Sequence, residues 1–494
     1  MTTRPMTTRP NPDPAAATIE RAFDRQREEL GIRRGFPPEV EAEAREAAAR
    51  DPAADASRAD RTAIPFVTID PPGSRDLDQA LCIQRSGEGF RLWYAIADVG
   101  FFVDRGGAVE REAWLRGETF YAPDCKEPLY PPALSEGPAS LLPEEDRPSV
   151  LFGFELDGRA EIVSSSIERA RVRSRAQLTY AQALEHVEGG GALFRDREWA
   201  ESLVLLKEFG EQRRRREAER GGVSLPILSQ HVQRSATARL GYALEYERPV
   251  ASEDWNAQVS LLTGHLAALR MSAAKVGILR VLPPADPERI EHFRRVARAL
   301  GFQWPDGVGY GDFLRSLDPD HPRVTPLVWQ ARRVMAGSDY VAFDGELPAQ
   351  PLHHALAFAY AHVTAPLRRL ADRYVLDLLV QLETGGRPSP VEVETLAKVA
   401  EVMNQAETKS SRLDRRVVDV AEAWTLRGRV DERFPAVVLG VRGREVEVQI
   451  EEPPVRADAA RPEHGRWLEL GERVQVRLAS VDPEEGKLAF TLEE

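Results

Sequence analysis

Cysteine is scarce in this sequence, and membrane-spanning segments are missing from it. Cys82 and Cys125 are the only two cysteines among 494 residues, and their unrelated surroundings argue against a disulfide framework and against a zinc site. No apolar run approaches the length of a transmembrane helix, and the N-terminus lacks the apolar core of a signal peptide. These absences predict a protein of the reducing cytoplasm that has no membrane partner.

A surplus of positive charge is also missing. The formal net charge is −13, which argues against the whole-molecule positive field of a protein that simply coats nucleic acid. A polyanion would therefore have to meet local basic clusters, such as the positive strand face that the alternation of Arg171, Arg173 and Arg175 predicts. With 42% hydrophobic and 29% charged residues, the composition is that of a globular protein, and the length allows about two to four domains.

The N-terminal part divides into a tail and a helical region. Residues 1–14 repeat the sequence MTTRP and are rich in proline and alanine, which predicts disorder. Residues 15–62 contain two helical patterns, from about Ala17 to Leu30 and from Pro38 to Arg50. Helices this short could form a helix-turn-helix-like recognition module or a clasp on the main domain, and the sequence leaves both possibilities open.

The main body, residues 63–425, has the pattern of an α+β domain. Strand patterns dominate its first part, and helical patterns follow, as at Trp255 to Gly277 and Pro390 to Arg412. Between Trp114 and Pro148 the chain is irregular and rich in proline and serine, which is typical of long loops that carry function.

Residues 426–494 carry a different, all-β pattern. Short alternating segments such as EVEVQI, RVQVRLASVD and KLAFTLEE are separated by glycine, proline and charged turns, which predicts a small antiparallel barrel. Barrels of the OB type bind single-stranded nucleic acid through a strand face and loops. Phe434 and Trp467 are the aromatic residues that such a face could use, and core packing is an equal alternative for both.

Three acids gather around one turn in the stretch Phe66 to Leu81. Its first residues are β-formers that run into Asp70, and a Pro-Pro-Gly-Ser corner turns the chain back. If the returning segment is extended, Asp76 and Asp78 point to one side, and the turn can bring Asp70 to join them. Such hard oxygens suit Mg²⁺, whereas the ordinary alternative is an acidic surface turn in water. The spacing does not fit an EF-hand loop.

Several segments together resemble the catalytic domain of the ribonuclease II/R family, from about Ala63 to Ala423. In chain order they are FVTIDPPGSRDLDQAL, WYAIAD, FYAPD, LSEGPASLLPEEDRP, RSRAQLTY, YAHVTAPLRRLAD and SRLDRRVVD. The C-terminal barrel resembles the ribosomal S-one-type RNA-binding domain that ends these enzymes. The resemblance implies an RNB-type catalytic fold and processive 3′→5′ hydrolysis of single-stranded RNA to nucleoside 5′-monophosphates.

The same resemblance implies a metal site and a catalytic arginine. Asp70, Asp76 and Asp78 would hold the cation, and Asp76 and Asp78 would also be catalytic, with Asp78 the acid most directly tied to catalysis. Gln79 stands where the family usually has a fourth aspartate, so it would offer a neutral oxygen to the metal or its water. Mg²⁺ is the implied cofactor, and Mn²⁺ could substitute for it. Arg368 matches the family arginine near the scissile phosphate, where a guanidinium stabilises phosphoryl oxygens.

Contacts to the 3′ end of the RNA are implied as well. Tyr121 in FYAPD matches the aromatic residue that stacks on the 3′-terminal base. Tyr180 and Glu253 match positions that touch the ribose, where a phenol and a carboxylate would favour RNA over DNA. Asp414 takes the place of a family glutamate near the 3′ end, and Arg415 beside it is a further candidate for RNA binding.

Three departures from the family pattern modify these expectations. SLPI at Ser224 to Ile227 stands where a second stacking aromatic residue is expected, and Leu376 and Asp377 replace a His-Arg pair. About 60 mostly helical residues precede the catalytic domain. We expect this segment to be too short for the two cold-shock OB-folds that are common in the family. We therefore expect a more open entrance and more tolerance of structured RNA.

The leading prediction is a cytoplasmic, monomeric exoribonuclease that depends on a metal and acts on single-stranded RNA 3′ ends, with some action on structured RNA. Two alternatives stay open. Gln79 and the incomplete stacking positions suggest a catalytically weakened RNA-binding or regulatory protein, and a nuclease that acts chiefly on single-stranded DNA is the other.

Overall fold

The structure is a computed structural model that describes most of the chain. The described residues are 14–223, 229–235, 241–247, 249–318, 321, 323–450, 452–461 and 466–493. The tail predicted over residues 1–14 lies outside them, apart from Pro14, which begins a helix. No helix in these ranges combines the length and the apolar character that crossing a bilayer requires.

The main domain is built around a mixed β-sheet. Its strands are β1 (Ala59–Asp60), β2 (Phe66–Asp70), β3 (Gln79–Ser86), β4 (Gly89–Ala97), β7 (Asp146–Leu156) and β8 (Ile162–Thr179). The strand order is β1-β8-β2-β3-β4-β7, and β8 also pairs with β7, so the sheet curls back onto itself. The length of β8 makes this closure possible, because its first part is antiparallel to β7 and its last part is parallel to β2.

Helices cover this sheet and share its apolar core. They are α3 (Ala108–Arg116), α4 (Pro132–Ser135), α5 (Tyr180–Glu188), α6 (Ala200–Glu219), α7 (Ala251–Ala274), α11 (Leu370–Glu383) and α12 (Pro390–Leu426). One large cluster of buried side chains joins them to the strands. Side chains fix where some of them begin: Thr179 and Gln182 form a capping box at the start of α5, and Ser389 and Glu392 do so for α12.

Smaller units surround this core. Two-stranded ribbons are formed by β5 (Phe120–Tyr121) with β6 (Lys126–Glu127), β9 (Ser229–Arg234) with β10 (Tyr242–Glu247), and β11 (Val276–Val281) with β12 (Asp339–Asp344). A separate apolar cluster, rich in aromatic rings, holds together α8 (Pro287–Ala299), α9 (Tyr310–Arg315) and α10 (Val324–Val334). This helical unit lies between β11 and β12 in the chain.

The N-terminal helices dock on different parts of the main domain. Helix α1 (Pro14–Glu29) buries Ile19 and Phe23 against α12, and α2 (Pro38–Ala47) packs on α3 and α4. Each helix thus uses its apolar face for the main domain. This is the arrangement of a clasp.

The C-terminal strands form a closed five-stranded barrel, which confirms the predicted OB-type architecture. They are β13 (Arg433–Arg442), β14 (Glu445–Ile450), β15 (Arg456–Ala460), β16 (Arg473–Asp482) and β17 (Lys487–Glu493), in the order β13-β14-β15-β17-β16. Phe434 is buried in the barrel core, whereas Trp467 is 78% exposed. Core packing therefore explains Phe434, and Trp467 alone of the two is available to a partner.

The prediction of a positive face on β8, formed by Arg171, Arg173 and Arg175, is wrong. Each of its arginines binds an acid on a neighbouring segment: Asp60 and Asp146 for Arg171, Asp146 for Arg173, and Glu198 for Arg175. Strand alternation does place the guanidinium groups together, but the tertiary structure supplies carboxylates to the same face. The face is therefore close to neutral.

Candidate active site

Strand directions bring several polar residues to one edge of the sheet. β2 and β8 run parallel, and Asp70 at the end of β2 lies opposite Thr179 at the end of β8. β3 runs antiparallel to β2, so its first residue, Gln79, and the preceding Asp78 lie at the same edge. Tyr180 begins α5 directly after β8. Residues far apart in sequence thus meet at this edge because of the sheet topology.

The turn between β2 and β3 is held from inside by Leu77. Its side chain is fully buried, its N–H donates to Ser140 Oγ at 2.8 Å, and its carbonyl accepts from the N–H of Leu141 at 3.0 Å. Arg75 to Asp78 is not part of a strand, because β3 begins only at Gln79. Asp76 stays partly exposed, whereas Leu77 and Asp78 are both buried. The predicted strand at Arg75 to Asp78 is therefore not formed, and the buried Leu77 with its backbone hydrogen bonds holds the turn.

Asp78 is the most enclosed of the three acids, with 8% of its side chain exposed. Its Oδ1 accepts the N–H of Leu367 at 2.7 Å, and its Oδ2 lies 4.0 Å from Arg368 Nε. Burial raises the pKa of Asp78 to about 8, although Arg368 and the Leu367 N–H both lower it. Loss of solvation outweighs these two partners, so a further cation would be needed to keep the carboxyl ionised at neutral pH.

Asp70 has a carboxylate oxygen without a partner. Its Oδ2 is buried and makes no hydrogen bond within the described part of the chain. Burial raises the pKa of Asp70 to about 7; Thr68 lowers it, and the nearby Asp76 raises it. Buried polar atoms are usually satisfied, and hard divalent cations bind carboxylate oxygens. The donors at this edge therefore fit such a cation.

Asp76 is held by a lysine that sequence analysis did not single out. Lys126 Nζ lies 2.8 Å from Asp76 Oδ1 and 2.9 Å from Glu136 Oε1. Nowhere in the described ranges do three His, Cys, Asp or Glu side chains already enclose a metal position. The three predicted acids thus share one edge of the sheet, but Asp76 is bound by an ammonium group.

Gln79 uses both ends of its amide on the protein. Its Nε2 donates to the carbonyl of Thr364, and its Oε1 accepts from the Tyr94 hydroxyl at 3.0 Å. The Thr364 carbonyl can only accept, so the amide nitrogen must face it and the orientation of the amide is determined. The same hydroxyl of Tyr94 lies 2.8 Å from Ser260 Oγ. Gln79 therefore links β3, β4 and the segment that carries Arg368.

The segment 364–369 is anchored through its backbone. The N–H of Ala365 donates to Asp372 Oδ2 at 2.7 Å, and the Arg368 carbonyl accepts from the N–H of Thr119 at 3.0 Å. Arg369 Nη2 binds the same Asp372 carboxylate at 2.7 Å. The Arg368 side chain, in contrast, is 45% exposed. The structure thus fixes the backbone and leaves a guanidinium at the open side of Asp78.

Tyr121 lies on the solvent side of the site. It ends β5, and 47% of it is exposed, which leaves ring surface for a base to stack on. Partial burial raises the pKa of its phenol to about 12, while Arg368 lowers it and Asp76 raises it. Tyr121 pairs with Lys126 across the ribbon. The predicted stacking residue is therefore a neighbour of the arginine and the acids.

Tyr180 and Glu253 are also brought to this region. Burial raises the pKa of Tyr180 to about 12; Asp70 raises it further, Asn256 lowers it and Glu253 raises it. Ser252, which precedes Glu253 in α7, donates its hydroxyl to the Tyr180 carbonyl at 2.7 Å. The start of α5 and the start of α7 therefore lie together beside Asp70.

Asp414 and Arg415 are exposed and lie farther along α12. One helical turn before Asp414, Ser410 lowers the pKa of Glu118 by a hydrogen bond, so the same face of α12 borders the site. The segment Ser224 to Ile227, where a second stacking aromatic residue was expected, lies outside the described residues.

Glu118 is a second site residue that sequence analysis missed. It pairs with Arg369 through a β-bridge, directly behind Arg368. Burial raises the pKa of Glu118 to about 7; Ser410 lowers it, Glu407 raises it, and Arg369 and Arg368 lower it. No short motif marks Glu118, and a lone acid after a Gly is ordinary in a loop. The sequence feature that could have indicated Lys126 is its position just after FYAPD, where a turn would bring it opposite Tyr121.

The two residues of α11 that depart from the expected His-Arg pair have structural contacts. Leu376 is buried in the main core. Asp377 binds Arg105 at 2.8 Å and Arg169 at 2.6 Å, so its carboxylate joins α11 to β8 and to the loop before α3. In place of the His-Arg pair, Leu376 therefore contributes to core packing and Asp377 to ion pairs.

Comparison with protein-family models gives two matches. Residues 58–385 match the RNB domain, and residues 432–493 match the RNase II-type exonuclease C-terminal S1 domain. The first match covers the sheet, the acidic turn and the Arg368 segment. The second covers the five strands of the barrel.

Curated relatives agree with these matches. The chain is 26% identical over 480 residues to ribonuclease R of Escherichia coli K12, covering 89% of this chain and 58% of the relative. It is 28% identical over 456 residues to ribonuclease R of Aquifex aeolicus, covering 86% and 63%. The chain thus spans about three fifths of the length of these relatives.

Solved structures share the fold of this chain. The apo form of Mycoplasma genitalium RNase R superposes with a TM-score of 0.84 at 19% identity, over 96% of this chain and 78% of that one. Yeast Ssd1, described as a pseudonuclease, superposes with a TM-score of 0.72 at 16% identity, over 95% and 58%. From the closed sheet, the acidic turn at its edge and the matched domain over residues 58–385, we conclude that this chain belongs to the RNB family.

Proposed function

We propose that this protein is a metal-dependent exoribonuclease that hydrolyses RNA from its 3′ end to nucleoside 5′-monophosphates. The observation that carries the proposal is the pairing of buried Asp78 with the half-exposed guanidinium of Arg368, 4.0 Å away, next to the unpartnered oxygen of Asp70. Acids that need a cation, together with an arginine open to solvent, form a site for a phosphodiester.

The acids would hold the cation in this proposal. Asp70 offers a free buried oxygen, Asp78 offers the oxygen that does not accept from Leu367, and Asp76 joins when it is released by Lys126. When bound, a divalent cation supplies an activated water and neutralises developing charge, and Mg²⁺ or Mn²⁺ suits an all-oxygen donor set. Divalent-metal dependence is general in the RNB family.

Other side chains would orient the RNA. Arg368 reaches the open side of Asp78, where its guanidinium can hold the phosphoryl oxygens as charge accumulates on them. Tyr121 presents an exposed ring for stacking of the last base. Tyr180 and Glu253 can contact a ribose, where the 2′-hydroxyl both donates and accepts. Asp414 and Arg415 on α12 would border this path.

The sequence suggested Gln79 as a metal ligand, whereas the proposal gives it a positioning role. Both polar ends of its amide are engaged, with the Thr364 carbonyl and the Tyr94 hydroxyl. We infer that it holds the segment of Arg368 against β3. A direct contact from Gln79 to the metal stays a prediction and would have to use the second lone pair of Oε1.

Relatives support the substrate class. The solved complexes of Mycoplasma genitalium RNase R contain ribose-methylated single-stranded RNA in one case and double-stranded RNA in another. We propose single-stranded 3′ ends as the main substrate of this chain and structured RNA as an additional one. Action as a monomer in the cytoplasm stays a prediction.

Labelled oligonucleotides test the activity. RNA and DNA oligomers of one sequence, labelled at the 5′ end, would be incubated with the protein and Mg²⁺, Mn²⁺ or EDTA. We expect 5′-monophosphates and progressive shortening of RNA only, with activity lost in EDTA. Faster shortening of DNA would favour the single-stranded DNA nuclease, and no product with either metal would reject the proposal.

A second candidate is an RNA-binding protein without turnover. The likeness to yeast Ssd1, a pseudonuclease, shows that this fold does not by itself guarantee cleavage. Gln79 and the engagement of Asp76 by Lys126 favour this candidate. RNA bound without shortening, in the same assay, would identify it.

Duplex tolerance needs its own measurement. Hairpins with 3′ overhangs of increasing length would be digested, and the positions at which the enzyme stalls would be mapped. A stop several nucleotides before every duplex would contradict tolerance of structured RNA. Digestion that continues into the stem would support it.

A further inference from the structure

We propose that Lys126 competes with the divalent cation for Asp76, so that Oδ1 of this third acid becomes available to the metal only after the ammonium group has moved to Glu136. The inference rests on the proposed function, because it concerns the cation of that same site. It explains why three acids at one edge of the sheet do not already converge.

The β5–β6 ribbon places Lys126 at the site. Tyr121 and Lys126 are cross-strand partners, and the N–H of Ala122 donates to the Cys125 carbonyl at 2.9 Å in the turn between them. The backbone of Lys126 is therefore held beside the proposed stacking residue. From there only its flexible side chain has to reach the acids.

The ammonium group bridges two carboxylates at nearly equal distances. They are Asp76 at 2.8 Å and Glu136 at 2.9 Å, and all three side chains are partly exposed. A lysine has three donors on a long, flexible stem, so it can bind one acid or both without a backbone change. Glu136 thus offers Lys126 a partner after Asp76 has been released.

Charge makes the competition direct. An ammonium group at 2.8 Å occupies one oxygen of Asp76 and reduces the negative potential that a cation meets at the site. Gln79 adds no negative charge to offset this. Asp70 and Asp78 therefore form the permanently available part of the site, and Asp76 is the part that Lys126 controls.

A purely structural role for Lys126 makes a different prediction. If it only ties the ribbon to the loop of Glu136, its loss should change the stability of the protein and leave metal affinity where it was. Metal affinity measured without RNA therefore separates the two roles.

The test is Mn²⁺ binding to the full chain. Binding is measured through the electron paramagnetic resonance signal of the Mn²⁺ that stays free. We expect Lys126→Met to tighten Mn²⁺ binding by about tenfold, the order expected when a unit charge leaves a partly exposed site. Lys126→Arg keeps the charge and should bind Mn²⁺ like the wild type. Glu136→Gln weakens the second partner of the ammonium and should weaken Mn²⁺ binding.

The control is Lys207→Met on α6, where the lysine is 4.0 Å from Glu211 and far from the acidic turn in sequence. Unchanged or weaker Mn²⁺ binding by folded Lys126→Met would overturn the inference, as would tighter binding by Glu136→Gln. If Lys126→Met does not fold, the Glu136→Gln result alone decides. If the protein cleaves RNA but Lys126→Met does not bind Mn²⁺ more tightly, only this inference is rejected. If Lys126→Met does bind Mn²⁺ more tightly but the protein releases no nucleotides, only the proposed activity is rejected.

Discussion

At the scale of single residues, burial decides the chemistry of the acidic turn. Asp78 lies beside an arginine and accepts a backbone N–H, yet burial still raises the pKa of Asp78 to about 8. The partners are therefore too weak to replace water around the carboxylate. A site with this imbalance gains from a bound cation, which supports the cation-binding role proposed for the acids.

Replacing Asp78 tests this assignment. We expect Asp78→Asn to lower the rate of RNA shortening by roughly 10²–10³-fold, because the amide cannot supply negative charge to a cation. Its oxygen can still accept the Leu367 N–H, so the fold should persist. Asp60→Asn, at an exposed acid that binds Arg171, is the matched control. Full activity of Asp78→Asn in single-turnover assays would refute the site.

Restoring an acid at position 79 should harm the protein. Gln79→Asp loses the donor to the Thr364 carbonyl and places a carboxylate near that acceptor, which costs about 1–3 kcal/mol. We expect a lower unfolding midpoint and slower cleavage, with Gln84→Asp on the exposed part of β3 as the control. Tighter Mn²⁺ binding and faster cleavage by Gln79→Asp would instead show that position 79 is a metal ligand.

Glu118 should make stability depend on pH. Burial raises the pKa of Glu118 to about 7 in the folded protein, from an ordinary value of 4.5. Between these values the folded state keeps a proton that the unfolded chain has lost, so stability falls as pH rises through this window. We expect Glu118→Gln to gain on the order of 1–3 kcal/mol over the wild type at pH 9 and little at pH 4.

Chemical denaturation at the two pH values measures this difference. The exposed Glu46→Gln on α2 serves as the control and should show no such gain. An equal effect of Glu118→Gln at pH 4 and pH 9 would mean that ionisation of Glu118 does not contribute.

At the scale of elements, helix α1 supports the turn that follows Tyr121. Arg27 on α1 is almost fully buried and binds both oxygens of Asp124, at 2.7 and 2.6 Å. Asp124 belongs to the FYAPD segment, only three residues after Tyr121. The N-terminal clasp therefore reaches the proposed RNA path through one ion pair.

Breaking this ion pair should affect both stability and RNA binding. Arg27→Met leaves Asp124 without its buried partner, at a cost of about 3–5 kcal/mol. We expect a lower unfolding midpoint, faster hydrogen exchange around residues 118–127 and a higher KM for short RNA. Arg25→Met on the same helix removes an exposed arginine and should leave all three unchanged. Unaltered exchange in the ribbon would show that α1 does not position Tyr121.

At the scale of the whole molecule, Glu447 joins the barrel to the main domain. It is 8% exposed and binds Arg333 of α10 through two hydrogen bonds of 2.8 and 3.0 Å, while Arg456 of the barrel lies 3.1 Å away. Gln330 of α10 adds a bond to the Leu439 carbonyl at 3.3 Å. The barrel is thus oriented by polar contacts to the helical unit, in which Glu447 and Gln330 are buried and Arg333 is exposed.

Removing Glu447 should loosen the barrel as a unit. Glu447→Ala removes the acid shared by Arg333, Arg456 and the more distant Arg442, and we expect a loss of about 1–3 kcal/mol at the interface. Calorimetry should then show a separate, earlier transition, and proteolysis should increase near residues 427–432. Glu493→Ala, at an acid that binds Arg433 and Arg477 within the barrel, is the control. A single transition for Glu447→Ala would contradict this interpretation.

Short-range sequence patterns predicted many elements of this architecture. The run of β-formers before Asp70 and the proline-glycine corner are short-range features, and both are present in the structure. The strand predicted to carry Asp76 and Asp78 is not formed, because β3 begins only at Gln79. The barrel strands were recognisable for the same reason, because alternation along a strand depends on its immediate neighbours. The positive face of β8 was a wrong prediction, because the pairing of its arginines with acids depends on distant segments.

By itself, the sequence determined the candidates for the chemistry proposed here: three acids beside a turn, an arginine in APLRR and a tyrosine in FYAPD. Only the tertiary structure decided what each of them faces. Asp78 meets Leu367 across 289 positions of the chain, and Gln79 meets Thr364 across 285. Such contacts follow from the closure of the sheet and the packing of its helices. The roles of Gln79, Lys126 and Glu118 therefore emerged only from the folded molecule.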